Sequence, residues 1–235
     1  MKSTFTLILL SFLISCGNPN KKAMNITGNI DGLRKGTLYL QKFKDTALIS
    51  IDSFKVQKDK PFTLGDDIES PQIYYLYLDK EDGDTLNDRI SFFGEKGDIT
   101  INSLLKTFES SAQISGSENQ ILWEEYQSML RRFNDKSLDL IKNYIKEDSL
   151  SQEEKKAKFD KNSKSLLKRR YLFALNYANN NADKELAAYI GLYEISNANP
   201  KLLDTLYSKM SENVKNSTYG VEFKTYLDSL KEINE

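Results

Sequence analysis

The sequence contains no histidine and only one cysteine, Cys16, among its 235 residues. The absence of histidine excludes Ser-His-Asp and Cys-His catalysis, histidine-ligated zinc, and the side chain that usually titrates near neutral pH. A single cysteine can form neither an internal disulfide nor a CxxC redox pair. The commonest hydrolase, zinc-enzyme and thiol-redox classes are therefore excluded, and we expect no cofactor.

The sequence also lacks a charge of one dominant sign and a long apolar run. It has 33 Lys and Arg against 34 Asp and Glu, so there is no basic excess to attract a nucleic acid. The longest apolar run, Phe5–Ile14, has ten residues, and a membrane-spanning helix needs about 20. A hydrophobic content of 39% can still build the core of one large domain or two small ones.

The apolar run belongs to an export signal. Lys2 precedes it, and the small residue Ser15 and then Cys16 follow it, which is typical of a secretory signal peptide over residues 1–15. Leu13-Ile14-Ser15-Cys16 resembles the lipobox of bacterial lipoproteins. The resemblance implies cleavage between Ser15 and Cys16, a diacylglycerol thioether on Cys16 and acylation of its new amino group. The alternative is an ordinary signal peptide that happens to contain a cysteine.

Residues 16–23 form a short polar stretch with Pro19, which we interpret as a lipidated tether. The seven residues after Cys16 reach at most about 25 Å, so the folded part should lie close to a membrane. In lipoproteins of Bacteroidetes, acidic residues directly after the cysteine tend to mark export to the cell surface. None follows Cys16, so we expect a lipid-anchored cell-envelope protein, in the outer or inner membrane, that faces the periplasm.

Residues 24–116 have the period of two that is typical of β-strands. Strands are predicted over Met24–Ile30, Thr37–Phe43, Leu48–Val56, Phe62–Gly65, Ile73–Leu78, Ile90–Phe93, Asp98–Ile101 and Ser111–Ile114. Ile73–Leu78 is apolar on both faces, which indicates a central strand that is covered on both sides. We interpret Gly94–Gly97 as the turn of a β-hairpin. Short strands separated by frequent turns predict an antiparallel β-sandwich or open barrel.

Residues 117–235 change to the period of a helix, so the predicted fold class is α+β. Helix caps are predicted at Ser117, at Ser151 with Glu154 as a capping box, at Asn199-Pro200 and at Ser217. Apolar stripes are predicted to form the core. Their main members are Ile121, Tyr126, Phe133, Leu138, Ile141, Tyr144, Phe159, Leu166, Leu167, Leu186, Ile190, Tyr193, Leu202, Tyr219 and Phe223. Lys168-Arg169-Arg170 is interpreted as a solvated face, with contact to anionic lipid headgroups as the alternative.

Several short motifs in this order resemble the DUF4369 domain of Bacteroidetes, a family of unknown function. They are Ile26–Ile30, Gly36–Leu40, Ile51–Ser53, Phe62–Gly65, Gly97–Ile101, Ile114–Asn119 and Ser217–Leu230. Relatives often precede a thioredoxin-like (TlpA/AhpC-TSA type) domain in lipid-anchored envelope proteins. This sequence stops at Glu235, where that domain would begin, and has no CxxC, so the redox activity of the longer relatives cannot be carried over.

Three functions remain open. The first is a non-enzymatic binding or scaffolding module for a protein, a peptide or an envelope glycan. The second is an accessory role beside a separate thioredoxin-like protein. This hypothesis rests on the thioredoxin-like domains that often follow the relatives in the same chain. The third is a carboxylate-dependent hydrolase, for which Asp52, Asp98 and Glu118 are candidates near predicted strand or helix ends.

Two further motifs allow sharper hypotheses. Residues 79–88 are rich in oxygen ligands and could bind Ca²⁺, but they do not fit the EF-hand spacing, and a solvated hairpin tip is the simpler interpretation. Thr46, Thr85 and Ser149 each follow an aspartate and precede an aliphatic residue. This pattern resembles the O-glycosylation motif of Bacteroidetes envelope proteins, although so short a pattern also arises by chance.

Overall fold

The computed structural model describes residues 22–57, 60–80 and 89–233, and it confirms the predicted α+β fold. The strands are β1 (Met24–Asp31), β2 (Thr37–Lys44), β3 (Ala47–Lys55), β4 (Phe62–Asp66), β5 (Gln72–Asp79), β6 (Arg89–Gly94), β7 (Gly97–Leu104) and β8 (Gln113–Ser115). The helices are α1 (Glu118–Lys146), α2 (Gln152–Asn180), α3 (Glu185–Tyr189), α4 (Pro200–Lys209), α5 (Glu212–Lys215) and α6 (Thr218–Ile233). A short 3₁₀ helix, Leu105–Thr107, precedes β8.

The strands form two four-stranded sheets, with the orders β4-β1-β7-β8 and β3-β2-β5-β6. Alternate apolar side chains from both sheets fill the space between them and form the sandwich core, which includes Met24, Ile26, Leu38, Leu76 and Ile99. The described strands do not close into a barrel. One pair departs from the predicted antiparallel arrangement, because β1 and β7 run parallel, with Ile26 opposite Ile99.

The hairpin predicted across Gly94–Gly97 is wrong. The preceding strand, β6, pairs with β5 in one sheet, and the following strand, β7, pairs with β1 and β8 in the other. The amide of Gly97 donates a hydrogen bond of 2.8 Å to the carbonyl of Ala23, which directs β7 to the edge of β1. Gly94–Gly97 therefore crosses between the sheets.

Gly28 lies on β1 opposite Ile101 of β7. A Cβ atom at this position would lie 1.7 Å from the carbonyl oxygen of Ile101 and 2.9 Å from the ring of Phe62. Backbone atoms cannot move away as a flexible side chain can, so only glycine fits. This contact gives a physical reason for the glycine in the Ile26–Ile30 motif.

The helices pack on the outer face of β5 and β6 and form a second core there. Ile73 and Phe93 point out of the sandwich and are buried among Tyr126, Leu186 and Phe223. The prediction that Ile73–Leu78 is covered on both faces is confirmed at the start of this strand. Further along, Tyr77 stays half-exposed on the outer face.

Hydrogen bonds fix the helices to the sheet. The Glu95 carboxylate accepts from the backbone amide of Glu118 at 2.6 Å, and the Gln120 side-chain oxygen accepts from the amide of Phe93 at 2.8 Å. The Tyr219 hydroxyl accepts from the amide of Ile73 at 2.9 Å. The last two bonds join buried backbone amides of the sheet to α1 and α6, so the helical region has a defined position on the sandwich.

The predicted helix caps are confirmed. The Ser117 side chain accepts from the amide of Gln120, and Ser151 and Glu154 form a capping box. Asn199 accepts from the amide of Lys201 ahead of Pro200, and Ser217 accepts from the amide of Gly220. No helix among the described residues is long and apolar enough to cross a membrane.

α1 and α2 form a long antiparallel hairpin of helices, each 29 residues long. Their bases join the second core, and ring contacts such as Phe133–Phe173 and Tyr144–Phe159 connect them further out. The prediction of core stripes is confirmed for Tyr126, Leu166, Leu186, Ile190, Tyr219 and Phe223, which are buried. It is wrong for Ile121, Leu138, Ile141, Tyr193, Leu167 and Leu202, which are exposed.

Candidate functional site

A groove of about 880 Å³ opens where the sandwich meets the helical region. The β2–β3 hairpin and the start of β5 form one wall, and the segment after α3 and the start of α6 form the other. Its volume lies within the range typical of ligand pockets, about 300–1,000 Å³. The groove is therefore the best candidate in the described part of the chain for a binding site.

Aromatic rings line both walls of the groove. Phe43 and Tyr75 lie on the sheet with their ring centroids 5.9 Å apart, and Tyr189 lies 5.1 Å from Tyr193 and 5.3 Å from Tyr219 on the helical side. Phe43 is 53% exposed and Tyr193 is 54% exposed. Large rings that stay exposed on a concave surface are typical of ligand contacts.

Local backbone features present these rings. Asp45 adopts φ 54° in the tight turn between β2 and β3, which leaves Phe43 at the projecting end of the hairpin. On the opposite wall, Ile190–Glu194 forms one turn of π-helix after α3. A Cβ atom on Gly191 would come within 2.6 Å of the Phe223 ring, so glycine allows this turn to pack against α6. Single π-turns occur frequently at functional sites.

Two charged side chains that line the groove have polar partners. Lys42 is paired with Asp66 at 2.6 Å, and the Tyr193 hydroxyl donates to Glu222 at 2.9 Å. Burial raises the pKa of Tyr193 to about 12, with Glu222 adding to the effect. Burial likewise raises the pKa of Tyr189 and Tyr219. These phenols stay protonated at neutral pH, so they provide flat faces and hydroxyl groups, and they cannot act as bases.

Residues 24–123 match the family model of DUF4369, a domain of unknown function. The matched residues form the DUF4369-like part of the chain. No curated protein and no solved structure matches the chain. The DUF4369 match covers the sandwich and the first residues of α1, so it includes Phe43 and Tyr75 but excludes Tyr189, Tyr193 and Tyr219. The groove is thus built partly by the DUF4369 domain and partly by the helices that follow it.

Some of the predicted site residues lie outside the described part of the chain. These are the signal-cleavage residue Ser15, the lipidation residue Cys16, the glycosylation residue Thr85, and residues 81–88 of the proposed calcium loop. Within the described ranges, no group of three or more acidic residues is placed to hold a metal ion. Thr46 lies exposed in the β2–β3 turn of the DUF4369 domain and lines the groove. Ser149 lies exposed between α1 and α2, where its hydroxyl donates to Glu147.

The three candidate carboxylates contact different partners on different elements. Asp52 accepts from the amide of Gly65 at 2.9 Å, which ties the edge of one sheet to the other. Asp98 accepts from the Asn25 side chain at 3.3 Å on the outer face of the first sheet. Glu118 hydrogen-bonds to Lys184, which lowers its pKa, whereas a general acid needs a raised pKa. These contacts do not support the hydrolase hypothesis for this set of residues.

Sequence reasoning missed the groove. It placed Tyr75 in a covered strand, and Tyr193 and Tyr219 in core stripes. The available signal was the choice of residue, because the chain has 13 tyrosines, and several occupy stripe positions where leucine would serve a purely apolar core. Tyrosine has an apolar ring and a polar end, so it suits surfaces that are partly buried and partly wet.

Proposed function

We propose that this protein is a lipid-anchored lipoprotein of the cell envelope, of the kind found in Bacteroidetes, and acts as a non-enzymatic binding module. The lipobox resemblance at Cys16 and the short tether support the location. The proposal of binding rests on the exposed rings of Phe43 and Tyr193 in the groove. The absence of histidine and of a free thiol after acylation supports a role without catalysis.

The lining of the groove indicates the chemistry of the ligand. The exposed rings suit a ligand with flat apolar faces, and the protonated tyrosine hydroxyls suit one with polar edges. An envelope glycan meets both conditions, because sugar rings present C–H faces and hydroxyl edges. A proline-containing peptide meets the first condition, since such segments bind aromatic grooves in other domains. We therefore propose a glycan as the ligand, and a peptide is the second outcome that the test distinguishes.

Trp123 offers a direct reporter of binding. It is the only tryptophan of the chain, and its ring centroid lies 5.1 Å from that of Tyr189 in the groove wall. We expect a saturable change in Trp123 fluorescence on titration with soluble fragments of envelope glycans, and none with peptides derived from envelope proteins. Tyr193→Ala should weaken the affinity by about tenfold, because an aromatic contact contributes about 0.5–1.5 kcal/mol beyond its area burial.

Tyr39→Ala is the matched control for this titration. Tyr39 also lies on the outer face of the second sheet, where it stacks on Tyr77 with ring centroids 6.1 Å apart, but it does not line the groove. Equal affinities for both variants would contradict the proposed site. A response to peptides alone would replace the glycan with a peptide. The mass of the native protein, compared with that of Cys16→Ala, tests the anchor separately, and a native mass without acyl chains would contradict it.

A further inference from the structure

We propose that the outer part of the α1–α2 hairpin, residues 131–170, docks on an anionic phospholipid surface. This proposal is independent of the groove and of acylation at Cys16. The segment contains 13 Lys and Arg against 7 Asp and Glu, so its formal net charge is +6. The whole chain carries −1, so the remaining residues carry −7. The balanced overall charge therefore hides a strongly basic element.

The outer hairpin also exposes aliphatic side chains on one face. Leu138, Ile141 and Ile145 follow one another at intervals of three and four residues along α1, and they are 53%, 43% and 69% exposed. The rings of Phe133 and Tyr144 contact α2 from a different face. On α2, Leu167 is 49% exposed.

Basic residues accompany this aliphatic face. Lys142 and Lys146 lie on the same stretch of α1, and Lys164 and Lys168 are exposed on α2. A helical element that combines exposed aliphatic residues with many basic ones is typical of contact with the membrane interface. Each Lys or Arg near an anionic surface strengthens such binding, and the aliphatic side chains enter the boundary between headgroups and acyl chains.

Charge favours a phospholipid surface over a second copy of the chain. Two hairpins in contact would bring two +6 segments together, whereas an anionic bilayer neutralises them. The fold also places the base of the hairpin near the start of the described chain. The amide of Gly97 binds the carbonyl of Ala23, and Glu95, two residues before Gly97, binds the first residues of α1. Ala23, close to where the described chain starts, and the base of the hairpin thus lie at one corner of the sandwich.

An environment-sensitive fluorescent label at position 145 tests the contact. The full chain carries Cys16→Ala and Ile145→Cys, so the new thiol is the only one to react. We expect about a twofold rise in fluorescence and a blue shift with phosphatidylcholine vesicles that contain phosphatidylglycerol. Vesicles of phosphatidylcholine alone should give no change, because their surface has no net charge to attract the basic hairpin. Added salt should reverse the response, since the attraction is screened.

Leu202→Cys in the same background is the matched label, because Leu202 is 41% exposed on α4, outside the hairpin. It should not respond to either vesicle. Lys146→Glu with Lys164→Glu should weaken affinity for the anionic vesicles by about tenfold or more. Lys201→Glu with Lys209→Glu makes the same change of net charge on α4 and should have little effect.

Three results would overturn the proposal. The first is an equal response at position 145 with both vesicles. The second is an equal loss of affinity for the two double variants, which would indicate a general effect of net charge. The third is a response at position 145 that depends on protein concentration without vesicles, which would assign the face to a second copy of the chain.

Discussion

Tyrosine hydroxyls connect separate parts of this protein at the level of single residues. Tyr219 on α6 accepts from the amide of Ile73 on β5, and Tyr177 on α2 donates to the carbonyl of Leu122 on α1 at 2.8 Å. Tyr226 on α6 donates to the carbonyl of Ser196 at 2.8 Å. Each ring packs in the second core while its hydroxyl satisfies a backbone group, so the tyrosines add directional contacts to the apolar packing.

Tyr219→Phe should destabilise the protein by about 1–3 kcal/mol, because it leaves the buried amide of Ile73 without an acceptor. The measurement is the free energy of unfolding in urea. Tyr193→Phe is the control, since it removes a hydroxyl from the same aromatic cluster, but one that binds the exposed Glu222. The control should cost less than about 1 kcal/mol. Similar losses in the free energy of unfolding for the two variants would show that the hydrogen bond to Ile73 contributes no more to stability than the exposed one.

The residues that could be predicted from sequence are those that act locally. Ser117, Ser151 with Glu154, and Asn199 bind amides only two or three residues away, so the sequence pattern contains both partners. Glu95, Gln120 and Tyr219 were not predicted, because their partners lie 23, 27 and 146 residues away. Only the folded topology brings such pairs together.

At the level of elements, strands and helices could be predicted but their partners could not. Alternation identifies a strand and its buried face, yet it does not say which strand lies alongside. This is why β6 and β7 were expected to form a hairpin, although consecutive Phe92 and Phe93 face different cores. In the same way, a helical stripe does not show whether the helix extends past the elements that would cover it. The part of α1 that carries Leu138 and Ile141 does so, and both side chains are exposed.

The tip of the α1–α2 hairpin should lose stability in acid. The Ser149 hydroxyl and then Lys158 lower the pKa of Glu147 from 4.5 to about 2. Because the pKa of the folded state lies below that of the unfolded state, the stabilising contribution is present above about pH 4.5. It is lost as the pH falls toward 2. Glu147→Gln should therefore flatten the dependence of the free energy of unfolding on pH in this window.

The titration of the Glu147 side chain by NMR provides a direct check, and Glu153→Gln in the first turn of α2 is a suitable control. Glu147 is only partly buried, with its side chain 25% exposed, so the effect should be modest and should decrease with added salt. Parallel stability curves for the wild type and Glu147→Gln between pH 2 and 5 would contradict the assigned contacts.

At the level of the whole molecule, two cores share one sheet. The sandwich core lies between the two sheets, and the second core lies between the outer face of β5 and β6 and the helices. Ile73 and Phe93 belong to the second core although they are sheet residues. Unfolding of the first sheet or of the helices would expose one face of the sheet that contains β5 and β6. We therefore expect the sandwich and the helices to unfold together.

Phe93→Ala tests this cooperativity. The variant should lose about 3–5 kcal/mol, as is usual for a buried phenylalanine. The unfolding midpoints from far-UV circular dichroism and from Trp123 fluorescence should shift together. Phe43→Ala, which removes an exposed ring, should cost less than about 1 kcal/mol. Separate transitions, one for the helices and a later one for the sheets, would show that the two layers are independent.

For the proposed binding role, the division of the groove between two parts of the chain has a consequence for how ligand specificity would be inherited. Phe43 and Tyr75 come from the DUF4369 domain, whereas Tyr189, Tyr193 and Tyr219 come from the helices beyond the matched residues. Two proteins that share this domain but have different helices after it would have one groove wall in common, while the opposite wall would differ. Their ligands could then diverge while the domain itself changed little. Exchange of the downstream helices between such proteins would be a route to transfer ligand preference.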